Sequence, residues 1–353
     1  MGNLGSRRSL LLQRYLLSFL TRRAPLTAPK APSGASNNAA NRKIDEGAAK
    51  QDDSLHPTCY VRSQQTSGTG SRWIRVMSFN IRGAFRRGDG VNAWCNRAAP
   101  NVAAIKNCAP DLIGFQELQD GNLKTYQETL PGYERLLGPK AGNRPPHEFN
   151  AIFFRPSRLE LLKSGGFWLS ETPEQHSASW RARTTRCANW AEFRCHESGV
   201  SFLHLNTHLD HLSKRARTMG SELIRRRLRE VRTDDEPAIV TGDFNCPPGS
   251  ATYRAFVQDG FVDTFFAASE EADANTFHAF GGVRQLAAGL WYRLHHGGRP
   301  MRIDMILLND PGGHVKVESH RIVRNSGQGS QAYPSDHYPV FTDLSLSLWR
   351  SPG

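Results

Sequence analysis

The stretch PAIVTGDFNCPP, residues 237–248, ends a short apolar run with two polar side chains of different chemistry. Apolar runs of this length are typical of buried strands. Asp243 and Asn245 lie two residues apart, and alternate residues of an extended segment share one face, so both side chains should reach the same point. A carboxylate can accept a proton and an amide can donate to an anion, a pairing that suits hydrolysis of a negatively charged substrate.

Similar polar residues end or interrupt most of the other strand-like runs. They are Asn80; Gln116 and Glu117; Asn206, His208, Asp210 and His211; Asp304; and Asp336 with His337. Each one alone has a structural interpretation as a turn residue, a helix cap or a buried hydrogen-bonded group. Together, so many carboxylates would repel one another unless a cation neutralised them. Oxygen ligands without cysteine favour Mg²⁺, or Mn²⁺, over zinc, and a hard cation beside histidines suits hydrolysis of a phosphate ester.

The elements that must position these residues are strands mixed with helices. Strand patterns begin near Trp73 and recur at 111–117, 150–155, 201–210, 237–245 and 302–309. A helix is predicted from about Ser213 to Val231, and another in NRAAPNVAAIKNCAP (96–110) despite Pro100. The mixture predicts one α/β domain over residues 73–348. The basic face of the helix near Ser213 is interpreted as solvated, with phosphate contact as the alternative, and carries Arg225, Arg226 and Arg229.

The formal net charge of +12 is unevenly distributed along the chain. Residues 1–72 carry 11 Lys or Arg and 4 acids, a net +7, so the remainder, with 34 Lys or Arg and 29 acids, carries +5. Charge alone is therefore weak support for a nucleic-acid partner. The six cysteines form no C-x-x-C pair and are interpreted mostly as free thiols, with a bridge between Cys187 and Cys195 left open.

The first 72 residues have the composition of a leader and a linker. Residues 1–23 combine leucines with five arginines and contain no acid, as organelle targeting segments do. The apolar part is too short and interrupted to span a bilayer, so no transmembrane segment is predicted. We favour a mitochondrial address, with a plastid address or N-myristoylation of Gly2 in MGNLGS as alternatives. Residues 24–72, rich in Pro, Ala, Ser, Gly and Asn, are expected to form a disordered linker.

In this order, the motifs MSFNIR, IGFQE, NTHLDH, TGDFN, RIDMILL and YPSDHYPV resemble those of the endonuclease/exonuclease/phosphatase superfamily, which has the deoxyribonuclease-I-like fold. The resemblance covers about residues 73–348. The segments GGFWLSETPE (165–174) and TFHAF (276–280) resemble a subfamily loosely grouped with the carbon-catabolite-repressor-type deadenylases. The resemblance implies an α/β four-layer sandwich, in which two packed mixed β-sheets are flanked by helices. It also implies Mg²⁺-dependent hydrolysis of phosphodiesters or phosphomonoesters.

The resemblance also implies a role for each matching residue. Asp243 is expected to be the general base or to position the attacking water, and Asn245 to stabilise charge on the phosphoryl oxygens. Glu117 is expected to be the primary Mg²⁺ ligand, with Asn80 beside it. Asp336 would complete or adjoin this metal site.

Two histidines are expected to complete the catalytic set. By the same resemblance, His337 should contact the phosphate and assist proton transfer, held in one tautomer by Asp304. His208 should be a second phosphate contact and a candidate acid for the leaving group. Similarity to the pancreatic deoxyribonuclease branch implies that Glu148, in HEFNAIFF, holds His208.

One position departs from the abasic-site repair members of the superfamily. They carry an Asp two residues after the Asn of the first motif, where this chain has Arg82. The difference weakens a DNA-repair interpretation and leaves fewer acidic ligands for a metal. His211 is either a further phosphate contact or a helix-start residue, Phe277 either packs its own loop or stacks on a base, and His278 could face the substrate. A possible anion-binding edge in SWRARTTR contains Arg181, Arg183 and Arg186.

Three functions are compatible with the sequence. The favoured one is a 3′–5′ exoribonuclease that acts on single-stranded RNA inside an organelle, without an obligatory protein partner. The alternative is a phosphoesterase for small molecules or lipid headgroups. A non-catalytic binding module on the same fold is the third, and it is disfavoured because the acids, Asn245 and His337 are all intact.

Overall fold

The computed structural model describes residues 73–85, 89–269, 274–296, 301–324 and 333–348. The expected targeting segment 1–23 and linker 24–72 lie outside the described residues. Within the described ranges, no helix is both long enough and apolar enough to cross a membrane.

The strands of the described chain form two six-stranded sheets and a small two-stranded one. The strands are β1 (Trp73–Asn80), β2 (Leu112–Gln116), β3 (Glu134–Leu136), β4 (Lys140–Ala141), β5 (Glu148–Phe149), β6 (Ile152–Phe154), β7 (Leu159–Trp168), β8 (Cys187–Cys195), β9 (Ser201–His208), β10 (Ala238–Asp243), β11 (Val262–Asp263), β12 (Asp304–Asn309), β13 (Val315–Ile322) and β14 (Val340–Leu346). The first sheet has the order β13-β14-β1-β2-β6-β3 and the second the order β11-β12-β10-β9-β8-β7, while β4 pairs with β5.

Helices cover the outer faces of both large sheets. The α-helices are Trp94–Cys108, Asp120–Thr129, Lys214–Val231, Ala251–Gln258, Thr264–Ala268 and Gly282–His296, with one 3₁₀ turn at Gly90–Asn92. One apolar core lies between the two sheets. A second core joins the first sheet to the helices Trp94–Cys108 and Asp120–Thr129, and a third joins the second sheet to Lys214–Val231 and Ala251–Gln258. The expected four-layer α/β sandwich is thereby confirmed.

The facing surfaces of the two sheets change from apolar to polar along the strands. In β10, Ile239 belongs to the apolar core between the sheets, and Thr241 and Asp243 follow on the same face. Below the strand ends, Gln116 Nε2 of β2 donates to Asn206 Oδ1 of β9 at 2.7 Å. Thr241 Oγ1 donates to the same oxygen at 3.2 Å. A buried polar layer therefore forms the floor beneath the sheet edge where the strands end.

The predicted helices form, and their charged residues have local partners. The helix Lys214–Val231 begins at Ser213, whose hydroxyl accepts the Ala216 N–H, and the helix Trp94–Cys108 continues through Pro100 as expected. On the basic face, Arg225 lies 3.1 Å from Asp259 and Arg226 lies 3.7 Å from Glu230.

The cysteines of the described chain are free thiols. Cys187 and Cys195 stand at opposite ends of the same strand, β8, and are both unbridged. The disulfide that the sequence left open between them does not form, because an extended strand holds its two ends far apart. Cys59 lies outside the described residues.

Candidate active site

Strand register brings the predicted site residues to one edge of the sandwich. In the first sheet, the parallel strands β1 and β2 end side by side, so that Asn80 closes β1 and Glu117 follows β2 directly. In the second sheet, parallel pairing sets His208 of β9 opposite Asp243 of β10. The antiparallel strand β12 sets Asp304 opposite Asp243 on its other side. Residues far apart in the chain meet because their strands end together.

Asn80 links the two halves of the site. Its Nδ2 donates to Glu117 Oε1 at 3.2 Å and to Asp243 Oδ2 at 3.1 Å. Glu117 and Asn245 both adopt positive φ angles, +60° and +49°. This left-handed conformation costs a residue other than glycine on the order of 1 kcal/mol or more, and such strain is concentrated at functional sites.

His337 is held by a carboxylate. Its Nδ1 donates to Asp304 Oδ2 at 2.9 Å, and its Nε2 lies 3.8 Å from Asp243 Oδ2. Burial disfavours the charged ring, but Asp304, followed by Asp243 and Asp336, outweighs burial and raises the pKa of His337 to about 10. The ring of Phe277 packs on it with 4.8 Å between centroids. His337 is therefore charged at neutral pH and fixed in orientation.

His208 is neutral, whereas His337 is positively charged. Its Nε2 lies 3.3 Å from Asp243 Oδ2. Burial, together with the positive charge of Arg186, lowers the pKa of His208 well below its ordinary value. A neutral ring can donate from Nε2 to the carboxylate but has no spare proton to give, so the electrostatics favour His337 over His208 as the acid.

Asp243 is a carboxyl group tuned towards neutrality. Burial and the nearby Asp304 raise its pKa to about 7, against the opposing effect of His337 and of the hydrogen bond that the Asn245 N–H donates at 2.9 Å. A base of this pKa both accepts and releases a proton readily near neutral pH.

The oxygen-rich part of this site fits a divalent cation. The carboxylates of Glu117 and Asp243 converge on one amide group, that of Asn80, so a cation there would offset two negative charges. Next to it, one side-chain oxygen or nitrogen atom from each of Asp243, Asp304 and His337 lies within 4.8 Å of the others. Asp243 belongs to both groups, so its carboxylate would lie next to a bound cation and next to the His337–Asp304 pair.

Asp336 is bound by an arginine. Arg82 Nη1 lies 3.1 Å from Asp336 Oδ2, and the same guanidinium holds Asp89 through two hydrogen bonds. Position 82, which the sequence singled out as a departure, therefore supplies a positive charge beside Asp336. The role of Asp336 as a metal ligand stays a prediction, and this pairing favours a place adjoining the cation over one among its primary ligands.

Two further predicted residues lie on segments next to the site. Glu148 begins β5, and the following Phe149 forms a bridge with Leu118, next to Glu117. The expected hydrogen bond between Glu148 and His208 stays a prediction. Asn245 Nδ2 donates to the Leu209 carbonyl at 3.0 Å, which anchors the loop after β10. Its contact with phosphate also stays a prediction.

Among the remaining candidates, Asp210 makes a structural hydrogen bond and Arg186 is a buried cation. Asp210 Oδ1 accepts the Ser213 N–H at 2.6 Å, at the start of a helix. Arg186 is only 8% exposed, and its Nη2 lies 3.3 Å from His211 Nδ1. Its neighbours in the proposed anion-binding edge, Arg181 and Arg183, are exposed.

The TFHAF segment supports the site from within. The ring of His278 is buried and stacks on Tyr338 at 4.1 Å, with Tyr333 at 4.9 Å. Its backbone N–H donates to the Asp336 carbonyl at 3.0 Å. Phe277 and His278 therefore hold the loop that carries Asp336 and His337, which for Phe277 agrees with the packing alternative.

Sequence reasoning missed Arg97. This fully buried guanidinium donates to five main-chain carbonyl groups, those of Ile81, Arg82, Gly83, Asn92 and Pro334. It joins the loop after β1 to the loop before β14. An arginine inside a helix gives no sign of such partners in the sequence, because every acceptor is a backbone atom.

A cavity of about 280 Å³ lies against the loop that carries Asn245. Its lining residues are Lys214, Arg217, Thr218, Cys246, Pro247, Ser250, Ala251 and Thr252. Two of them are cationic, and the others come from the first turns of two helices and the loop between Asn245 and Ser250. The volume is slightly below the roughly 300–1,000 Å³ of pockets for small organic ligands.

Comparison with known proteins places this geometry in a family. Residues 77–337 match the model of the endonuclease/exonuclease/phosphatase family. A member of this family from Bacteroides thetaiotaomicron is 29% identical, with a TM-score of 0.66 over 78% of this chain and 99% of that one. The mannosyl-6-phosphatase of the same species is also 29% identical, with a TM-score of 0.65 over 77% of this chain and 99% of that one. The catalytic domain of human Nocturnin has 23% identity and a TM-score of 0.58, over 78% of this chain and 94% of that one, and shows the fold alone.

No curated protein sequence is significantly similar to the chain. Enzymes of the matched family hydrolyse phosphoester bonds and generally depend on a divalent metal. The family match covers most of the chain, and the acids, amide and histidines of that chemistry meet at one sheet edge. The chain therefore belongs to the endonuclease/exonuclease/phosphatase family and is a hydrolase of phosphoester bonds.

Proposed function

We propose that this protein is a Mg²⁺-dependent phosphoesterase whose substrate is the phosphate ester of a small molecule, such as a phosphorylated sugar. The observation that carries the proposal is the meeting of Asn80, Glu117 and Asp243 with the His337–Asp304 pair at one point. The substrate class is supported by the 29% identity to a mannosyl-6-phosphatase along 99% of that enzyme.

The base in this proposal is Asp243. Glu117, with Asn80 and Asp243 beside it, would hold Mg²⁺, which when bound supplies positive charge to the phosphoryl oxygens. Asp243 orients the attacking water and takes its proton, because its pKa lies near 7. Asn80 and the neutral His208 fix the same carboxylate oxygen, Oδ2, from two directions. The water oxygen then forms the new bond to phosphorus.

The acid is His337. Its Nδ1 is engaged by Asp304, so the proton on Nε2 is the one directed towards Asp243 and the substrate space. When the bond between phosphorus and the leaving oxygen breaks, that oxygen receives the His337 proton and departs as an alcohol. The charged ring also stabilises the phosphoryl group before transfer.

Single-stranded RNA is the competing substrate class. For this substrate, base stacking by Phe277 was one of two alternatives, and His278 was a candidate for substrate contact. Phe277 instead packs on His337, and His278 is buried against Tyr333 and Tyr338. A strand of RNA would need other stacking surfaces, and the body of the protein adds only a net charge of +5 to attract it. A mitochondrial address for residues 1–23 remains part of the proposal and is independent of substrate.

The decisive experiment gives the full-length protein both substrate classes. Phosphate release from mannose 6-phosphate and other sugar monophosphates is measured with Mg²⁺, with Mn²⁺ and with EDTA, alongside a 5′-labelled single-stranded RNA. We expect phosphate release that needs the metal and falls 10²- to 10⁴-fold in Asp243→Asn, because the variant cannot accept the proton. Glu160→Gln, which changes an exposed carboxylate of β7, should match the wild type.

Either of two outcomes would overturn the proposal. A ladder of RNA shortened from the 3′ end, without phosphate release from the monoesters, would establish the exoribonuclease instead. Equal phosphate release by wild type and Asp243→Asn, both folded by circular dichroism, would remove Asp243 from the chemistry.

A further inference from the structure

Arg186 is a buried cation that has no counter-charge in the described part of the chain. Only 8% of the residue is exposed, and no described carboxylate forms an ion pair with its guanidinium. Its Nε is buried without a hydrogen-bond partner, and its Nη2 donates to His211 Nδ1 at 3.3 Å. A guanidinium carries five N–H donors and a permanent charge, so burying it unpaired is strongly unfavourable. The environment of Arg186 is therefore that of a side chain whose contacts an anion would complete.

The start of β8 places this guanidinium beside the active site. Arg186 directly precedes β8, and the antiparallel register of β8 with β9, continued past its last pair, sets Arg186 opposite Leu209, next to His208. After burial, the positive charge of Arg186 is the main cause that lowers the pKa of His208, so the two side chains lie close together. His208 in turn lies 3.3 Å from Asp243. Arg186 therefore flanks the residues that act on the phosphate.

Arg186 and His337 lie on opposite sides of Asp243. The strand order β12-β10-β9-β8 puts Asp304, which holds His337, on one side of Asp243. Arg186 lies on the other side, beyond His208. A phosphoryl group bound at Asp243 would thus lie between two cations. His337 is directed at the leaving oxygen in the proposed function, so the oxygens that stay on phosphorus would face Arg186.

The contact with His211 keeps the pair a set of donors. An arginine can only donate, so His211 Nδ1 accepts, and the proton of this neutral ring is on Nε2. The contact uses one N–H of the guanidinium and leaves its positive charge without compensation. Arg181 and Arg183 of the same segment are exposed, so water already solvates their charges. Arg186 differs from both of them in its burial.

We propose that Arg186 binds the phosphoryl oxygens of the substrate and selects phosphate monoesters over diesters. The inference rests on the proposed function and names a residue that sets its substrate class. Near neutral pH a phosphate monoester carries close to two negative charges, whereas a diester carries one. A buried cation therefore stabilises the bound monoester more than the bound diester. The planar guanidinium is also suited to contact two oxygens of one phosphate.

The first test measures binding of inorganic phosphate, which requires no turnover. Isothermal titration calorimetry of the full-length protein with Mg²⁺ compares the wild type with Arg186→Met, which removes the charge, and Arg186→Lys, which keeps the charge but not the planar fork. We expect Kd to rise roughly 10- to 100-fold in Arg186→Met and by a smaller factor in Arg186→Lys. Arg194→Met, which changes an exposed arginine at the far end of β8, is the control and should bind as the wild type does.

An unchanged phosphate affinity in Arg186→Met, folded by circular dichroism, overturns the proposal. If the methionine variant does not fold, an unchanged affinity in the folded Arg186→Lys variant overturns it instead, because the planar fork would then contribute nothing.

The second test measures selection between two esters with the same leaving group, p-nitrophenyl phosphate and bis(p-nitrophenyl) phosphate. Arg186→Met should lower kcat/KM for the monoester about tenfold more than for the diester, because only the monoester carries the second charge. Equal losses for both esters would indicate a structural role and overturn the selection. A wild type that cleaves only the diester or RNA overturns the proposed function and the selection together, whereas the calorimetry alone decides whether Arg186 binds phosphate.

Discussion

Arg82 shows how single residues balance charge at the active site. The site collects four acids, of which Asp243, Asp304 and Asp336 are buried and Glu117 is partly buried. His337 lies between Asp304 and Asp243, and Arg82 joins Asp336 to Asp89. The positive φ of Arg82, +54°, turns the chain so that the guanidinium reaches both carboxylates. Each cation thus serves two acids.

Replacing Arg82 with methionine should destabilise the fold. Asp336 and Asp89 are both buried and would lose their cation, at a cost of about 2 kcal/mol or more in the free energy of unfolding. Urea denaturation measures it. The double variant Arg82→Met/Asp336→Asn should recover part of the loss, because it removes one unpaired charge. Arg194→Met, which breaks an exposed pair with Glu160, should change stability by less than about 1 kcal/mol. Equal losses for the two arginines would contradict this account.

At the scale of elements, the close approach of β2 to the second sheet aligns the two halves of the site. Gly114 of β2 faces Thr241 and Asn206, and a Cβ added at Gly114 would lie 2.2 Å from Thr241 Oγ1 and 2.7 Å from Asn206 Oδ1. Only glycine leaves room there for the hydrogen bond between Gln116 and Asn206. The sheets can therefore hold Glu117 and Asp243 around a single amide.

Gly114→Ala should lower the free energy of unfolding by about 2–3 kcal/mol, because an extra methyl group in a filled interior forces the sheets apart. It should also lower kcat, since Glu117 and Asp243 belong to different sheets. Denaturant unfolding and steady-state kinetics report the two effects. Gly132→Ala, where an added Cβ meets nothing within 4 Å, is the matched control and should be close to neutral. A stable, fully active Gly114→Ala variant would show that the sheets separate without cost.

At the scale of the whole molecule, buried histidines link stability to pH. Burial lowers the pKa of His204 and of His320 to about 3, with Arg302 adding to the effect at His320. Both rings accept or donate a single internal hydrogen bond, to Thr241 and Thr264 respectively. In the unfolded chain each ring would titrate near pH 6.5.

The stability that neutral His204 and His320 contribute should fall as the pH drops below about 6.5. The unfolded chain binds protons there that the folded protein excludes, and the loss continues until the folded pKa near 3 is reached. Each histidine should cost about 1.4 kcal/mol at pH 5.5 relative to pH 7.5 or above. Urea denaturation of wild type and His320→Gln at the two pH values isolates one contribution, and the variant should lose about 1.4 kcal/mol less than the wild type between pH 7.5 and 5.5. An unchanged pH dependence in His320→Gln would refute the assignment.

The sequence predicted the parts of the structure that have a local pattern. Alternation and apolar runs predicted the major strands, and the polar residues at their ends indicated that Asp243, His208 and Asn80 would meet. The same rule suggested Gln116 and Asn206 as site residues, and they instead form the floor between the sheets. The pairing of Arg82 with Asp336 could not be predicted, because it joins residues more than 250 positions apart and depends on a left-handed turn.

Arg97 limits how the two loops that it joins can change during evolution. Its planar guanidinium donates to carbonyl groups of two loops at once. In the loop after β1, the distance is 3.0 Å to the Gly83 carbonyl and 2.6 Å to the Ile81 carbonyl. In the loop before β14, it donates to the carbonyl of Pro334, 237 positions away in the chain. Lysine has no equivalent fork. The loops on each side can therefore change in length or composition only while both continue to offer carbonyl oxygens to the same guanidinium. A library of random variants selected for activity should retain arginine at position 97 far more strictly than at exposed Arg181 or Arg183. Arg97 would then limit how both loops can evolve, although it touches no substrate.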